Sequence, residues 1–242
     1  MFRPEGFVDG DRLQVAGATV RLRINPRARR VSLRMDRRAG EVLAIAPSKR
    51  LLAAAAAFAR EREAWIGERL AEAPRPAPFA PGMRLTIFDE PVLLETGEGR
   101  TRWRAATFET PARITAMGEG EGFCRAVTRQ IRKRALEVLT ERTEAHCQAL
   151  GVEAPPVAVM DARTRWGSCT LPPRASIRYS WRLALAPFAV ADYVAAHECA
   201  HLLEANHGPG FWAHVRRLAG NPVPHRAWLR EHGARLHAAG QA

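Results

Sequence analysis

Two histidines four residues apart, His197 and His201, sit within residues 189–203, a run dominated by good helix formers. On a helix that spacing stacks them one turn apart on the same face. Both imidazoles can then aim a nitrogen at one ion, at about 2.0–2.1 Å if the ion is zinc. Glu198 follows His197 directly and can reach a water held by that ion. Zinc lowers the pKa of such a water towards about 7, and a carboxylate takes its proton as it attacks a carbonyl.

A catalytic zinc needs a third protein ligand and an open position. His207 lies six residues after His201, and the chain must turn back to deliver it. Asn206 and Gly208 tolerate left-handed backbone, which predicts the turn there. Glu204 is the rival ligand, but it stays on the helix and reaches along the rod, so His207 is preferred. The span from His197 to His207 matches the metzincin spacing. Glu204, however, stands where that pattern has glycine, and no methionine follows Met160. A metzincin is therefore excluded.

Upstream of the histidines the chain alternates short strand patterns with helical ones. Residues 19–24, 31–35 and 42–46 show period-2 apolar alternation, bounded by Asn25-Pro26 and Ala39-Gly40, and predict a small antiparallel meander. Ser48 is a candidate N-cap for an Ala-rich helix over 50–73, which Pro74, Pro76, Pro78 and Pro81 end as a stiff connector. Strands are expected over 83–88, 91–95, 101–104 and 112–117, then a long helix over 122–150. A strand over 157–161, an irregular stretch over 162–175 and a strand over 176–181 lead to a helix opened by Pro187 and running to 204. Helices over 209–218 and 224–238 complete the chain, and no internal repeat is visible. The expected domains are 1–82, a β-meander and helix with the Pro-rich connector, and 83–242.

Composition bounds the partners. Hydrophobic content of 47% and charged content of 26% describe a globular chain, not a disordered one. Lys+Arg exceed Asp+Glu by 37 − 25 = 12, and eight arginines fall within 21–38. Such a field attracts nucleic acid, so a basic nucleic-acid-associated protein is the competing reading. Met1 to Asp11 carries acids and no apolar core, and the longest apolar run, 51–59, is nine residues. No secretory signal and no membrane span are expected. Cys124, Cys147, Cys169 and Cys199 form no C-x-x-C pair, which predicts a reduced, cytoplasmic compartment.

Several further residues call for a reading. Arg165, Trp166 and Ser168 read as a structural corner with Gly167 in a tight turn, and Cys169 as a partly buried structural cysteine. Cys199, two positions from each motif histidine, points away from the ion. Tyr179 and Tyr193 are candidate donors to an oxyanion. Arg182 and Asp192 are candidate partners for an imidazole. His146, His214, His225, His232 and His237 lack ligand spacing and read as surface or core histidines.

Taken with the histidine motif, three stretches carry a family resemblance: Arg165-Trp166-Gly167-Ser168-Cys169, Trp181-Arg182-Leu183-Ala184-Leu185-Ala186-Pro187 and Asn206-His207-Gly208-Pro209-Gly210-Phe211-Trp212. The chain strongly resembles the YgjP-like metallopeptidases, relatives of the SprT-like and Wss/Spartan-type metalloproteases. A weaker likeness covers Arg29-Arg30-Val31-Ser32-Leu33-Arg34 and Trp65-Ile66. The resemblance implies an α+β, zincin-like domain, with a substrate strand above the active-site helix, preceded by the small β-meander and helix region. It implies zinc held by His197, His201 and His207, Glu198 as general base, and a protein or peptide substrate. Extra binding modules of the DNA-repair relatives are not visible in the sequence.

Overall fold

The computed structural model describes residues 6–36, 41–71, 77–162, 164–171 and 173–241. The chain divides into two compact units, Met1–Pro74 and Arg75–Ala242.

The first unit opens with β1 (Arg12–Val15), β2 (Ala18–Ile24), β3 (Ser32–Asp36) and β4 (Glu41–Ala46), arranged in the order β1-β2-β4-β3. This is not the predicted meander. β1 is an additional strand, and β4 enters between β2 and β3, parallel to β2 and antiparallel to β3. Burial explains the order: β4 is the most continuously apolar of the four, and a strand flanked on both sides suits it. The register sets Val20 against Val42 and Leu22 against Ala44. That face is closed by Leu52, Ala55, Ala56 and Ala59 of α1 (Leu52–Glu61) and by Ile66 of α2 (Glu63–Ala71).

The single helix expected over 50–73 is thus two, preceded by a 3-10 turn at Lys49–Leu51. At Arg62 the backbone leaves helical geometry, and its N–H closes a tight turn on the carbonyls of Phe58 and Arg60. Ser48 takes the cap position, but its side chain makes no capping bond. The predicted turn at Ala39-Gly40, and Pro74 and Pro76, lie outside the described residues.

The second unit repeats the first one's opening. Its strands β5 (Arg84–Ile87), β6 (Glu90–Thr96), β7 (Arg102–Arg104) and β8 (Ala112–Ala116) take the order β5-β6-β8-β7, again with the two inner strands parallel. The flanking hydrogen bonds recur as well. Gly10 N–H bonds Leu22 C=O and Leu22 N–H bonds Asp11 C=O, just as Gly82 bonds Leu94 and Leu94 bonds Met83. Both hairpins turn on two residues with positive φ, Ala16-Gly17 (52° and 75°) and Phe88-Asp89 (48° and 64°), as tight hairpins require. An internal repeat is therefore present in the structure. Its trace in sequence is slight: Gly10, Arg12-Leu13, Val20 and Leu22 against Gly82, Arg84-Leu85, Val92 and Leu94.

From there the units diverge. α3 (Gly120–Leu150) leads to a three-stranded sheet in the order β10-β11-β9, comprising β9 (Val157–Met160), β10 (Gly167–Thr170) and β11 (Ser176–Ser180). β10 lies inside the stretch expected to be irregular. Gly-Ser-Cys-Thr has no apolar alternation, and the strand is held by antiparallel pairing to β11. A 3-10 turn (Trp181–Leu185) then feeds α4 (Phe188–Ala200), followed by α5 (Pro209–Ala219) and α6 (Pro222–Ala238). α4 is buried on nearly every side, with Ala191, Val194, Ala195 and Cys199 in the core. Such a helix is apolar all round because it runs through the domain instead of over it. The fold is α+β and zincin-like.

Candidate metal centre

α4 ends at Ala200, so His197 sits in its last turn and His201 caps it in helical geometry (φ −64°, ψ −22°). The chain then makes tight turns, with Leu203 and Glu204 N–H both bonding Ala200 C=O. His207 is delivered by a three-residue turn closed by Gly208 N–H on Asn206 C=O, at 2.8 Å. Neither Asn206 nor Gly208 uses left-handed backbone, contrary to expectation; Gly208 is extended at φ −78°, ψ −176°. Pro209 then starts α5 at once.

The result brings one ligand atom each of His197, His201 and His207 within 4.8 Å of one another, the one such cluster among the described residues. The Nε2 atoms of His197 and His207 are 3.1 Å apart. Tetrahedral zinc with bonds of about 2.0–2.1 Å separates two ligand nitrogens by roughly 3.3 Å, so the pair is spaced to share an ion. His201 Nδ1 donates to Glu204 C=O at 3.0 Å, which leaves its Nε2 lone pair free. His197 Nδ1 is buried and has no hydrogen-bond partner among the described residues. Burial, followed by the neighbouring His201 and His207, pushes His197 down to about 4, so the ring is neutral at pH 7, as a ligand must be. His207 is lowered by burial, His201 and Arg226. This donor set fits a divalent metal ion. Glu204 is outside it: its carbonyl orients His201, and its carboxylate lies against Gly210.

Glu198 is 6% exposed, and its burial pushes the carboxyl up to about 7 against the opposing charge of Arg165. It faces Gly167, the first residue of β10. A Cβ built on Gly167 would stand 2.4 Å from Glu198 Oε1 and 2.7 Å from its Cδ, closer than real Cβ contacts come. Gly167 is thus not a turn residue; it is glycine because the carboxylate occupies the place of its side chain. Trp166 stacks on His237 with centroids 4.5 Å apart, the structural role expected for it.

The remaining candidates separate cleanly. Tyr179 is fully buried and hydrogen-bonded to Thr143 Oγ1 at 2.8 Å, which removes it as an oxyanion donor. Tyr193 lies beside His197, ring centroids 6.0 Å apart, and stacks on His225. Asp192 bonds His146 and Arg142, and Arg182 bonds Asp161; neither serves a motif imidazole. Cys199 is buried with its sulfur 3.8 Å from that of Cys147, on the side away from the histidines. Burial, with the charge of Glu198, pushes the Cys169 thiol up to about 11, so it is not a thiolate at neutral pH. Sequence spacing missed Arg226 altogether. It lies over the Trp212 ring at 5.2 Å, and its charge acts on His197 and His207. Arg226 lies nineteen positions beyond His207 in sequence, and only the packing of α6 beside α4 and α5 reunites them.

An α+β domain whose buried helix carries part of a histidine trio, with an adjoining buried carboxylate, is the arrangement expected of a metallopeptidase. The family model described as YgjP-like, metallopeptidase domain, matches residues 29–232, and the chain belongs to that family. No curated protein and no solved structure matches the chain. Membership makes it a metallopeptidase, with a metal ion and protein substrates. Among the described residues no helix is long and apolar enough to cross a membrane.

Proposed function

We propose that the protein is a zinc-dependent endopeptidase in which His197, His201 and His207 hold the ion and Glu198 moves the proton. The observation that carries this reading is the convergence of three imidazoles beside one buried carboxylate. When bound, zinc supplies Lewis acidity and lowers the pKa of water at the site. Glu198 takes the proton from the attacking water and returns it to the leaving amine. Its burial supports that role, since a carboxyl raised to about 7 binds and releases protons near neutral pH. Glu204 C=O holds the His201 ring in the tautomer that presents Nε2 outward. β10, the terminal strand of its sheet, offers an edge to an extended substrate, and Gly167 on it leaves room for the carboxylate. Unpaired cysteines support a reducing, cytoplasmic compartment.

The deciding experiment measures zinc content and cleavage of quenched fluorescent peptides by wild type, His207→Ala and Glu198→Gln. About one zinc per chain is expected in wild type and Glu198→Gln, and sharply less in His207→Ala, with cleavage lost in both variants. A wild type that takes up no zinc when it is offered would overturn the metal assignment. Full turnover by zinc-loaded Glu198→Gln would overturn the assignment of the base.

A second reading, association with nucleic acid, is favoured by one observation. The repeated sheets present arginines at equivalent, exposed positions on their outer faces: Arg12 and Arg34 in one, Arg84 and Arg104 in the other. Phosphate contacts there predict binding that weakens steeply with salt. Binding to single- and double-stranded DNA that is absent, or indifferent to salt, would remove this reading.

A further inference from the structure

The first unit carries a feature that the metal centre does not use. β3 ends its sheet, so one side of it has no strand neighbour among the described residues. An edge strand turns half of its N–H and C=O groups outward, ready to pair with another chain. Beside this edge a groove of about 510 Å³ opens between the strand and the two helices. Leu33 of β3, Phe58 of α1 and Trp65 of α2 supply its apolar lining, and the exposed Arg30 and Arg62 stand at its mouth. Neither arginine has a carboxylate partner among the described residues, and the exposed Glu61 and Glu63 do not line the groove.

We propose that this groove is a peptide-docking site, which takes an extended protein segment of alternating apolar and acidic residues as a fifth strand on β3. The period of a strand dictates the alternation: every second side chain enters the groove, and those between face outward. Leu33 points into the core layer opposite Ala44, so inward residues of the added strand lie over Phe58 and Trp65. Outward residues share the face of the exposed Arg34, which selects acids for those positions, and carboxylates at the ends of the segment meet Arg30 and Arg62 at the mouth. The site lies wholly within the first unit and is independent of the metal chemistry.

The test uses the full-length chain carrying Glu198→Gln, so that no peptide is consumed. Fluorescence anisotropy follows titration with pooled peptides of about eight residues, in which Asp or Glu alternates with Val, Ile or Phe. The acidic pool is expected to bind at least about tenfold tighter than the same pool with Lys in place of the acids. Arg30→Glu with Arg62→Glu, both at exposed positions, should weaken binding at least about tenfold with an unchanged circular dichroism spectrum. N-methylating one alternate set of backbone nitrogens in the best binder should abolish binding, and methylating the other set should not, because only one set faces β3. An acidic pool that does not bind, or that binds the double variant equally, would overturn the proposal. So would displacement of the bound peptide by a short oligo-dT, which would assign the groove to nucleic acid.

Discussion

At the scale of single residues, the tightest steric constraint in the site falls on Gly167, beside Glu198. A methyl group on Gly167 would stand 2.4 Å from Glu198 Oε1 and 2.6 Å from its Cγ, so the buried carboxylate must shift to admit it. Gly167→Ala is therefore expected to lower kcat at least about tenfold while zinc content stays at wild-type level, since none of the three histidines is touched. Unchanged kcat in that variant would show that the close approach has no bearing on catalysis. Glu198→Gln should cost at least about 100-fold in kcat, the usual worth of a general base. The histidine spacing made His197 and His201 legible, and Glu198 with them, because a helix converts sequence distance into direction. Gly167 was misread as a turn residue, because nothing local says which side chain will fill the space it leaves.

Among elements, a polar tie between α3 and α4 is made by Asp192, whose Oδ1 accepts from Arg142 Nε and His146 Nε2, each at 2.7 Å. Burial alone would raise this carboxyl, but the two bonds outweigh it and hold the group below its ordinary 3.8. A folded-state pKa below the unfolded one gives stability that is full above the unfolded value and lost as pH falls through the folded one. Asp192→Asn should thus destabilise by about 1–3 kcal/mol at pH 7, and the gap to wild type should narrow below the ordinary carboxylate range. Urea unfolding at the two pH values checks it, and a gap that does not depend on pH would refute the linkage. The repeated hairpins allow a paired comparison. Ala16 holds φ 52° and its turn is exposed, so Ala16→Gly should stabilise by up to about 1 kcal/mol. Phe88 has similar backbone, yet its ring packs edge-on to Phe188 and its N–H bonds Ala184 C=O. Phe88→Gly should therefore destabilise, by thermal melting.

For the whole molecule, every candidate site residue belongs to the second unit, Arg75–Ala242, which has its own core. A chain shortened to that unit is expected to bind about one zinc while losing the acidic-peptide docking assigned to β3. A folded fragment without zinc would mean that the first unit helps to build the metal centre. The basic charge of +12 belongs to this scale as well: its repetition on the outer faces of two sheets became apparent only when the strands were paired.

By itself the sequence determined the helix under the candidate metal centre, two of the three converging histidines, the carboxylate that follows the first of them, and most of the strands. All of these are local patterns with a period of 2 or 3.6, or residues at fixed distance along one helix. The tertiary structure decided the rest. Strand order is set by which strand gains most from burial on both sides, so β4 went to the centre and the meander was lost. β10, Gly-Ser-Cys-Thr, is a strand because β11 pairs with it, not because of any pattern of its own. The repeat survives in hydrogen bonds and turn geometry that many side chains can satisfy, so it persists where sequence identity has nearly gone. Gly167, Arg226 and the groove beside β3 all depend on contacts between segments distant in the chain, and such contacts leave no local signature.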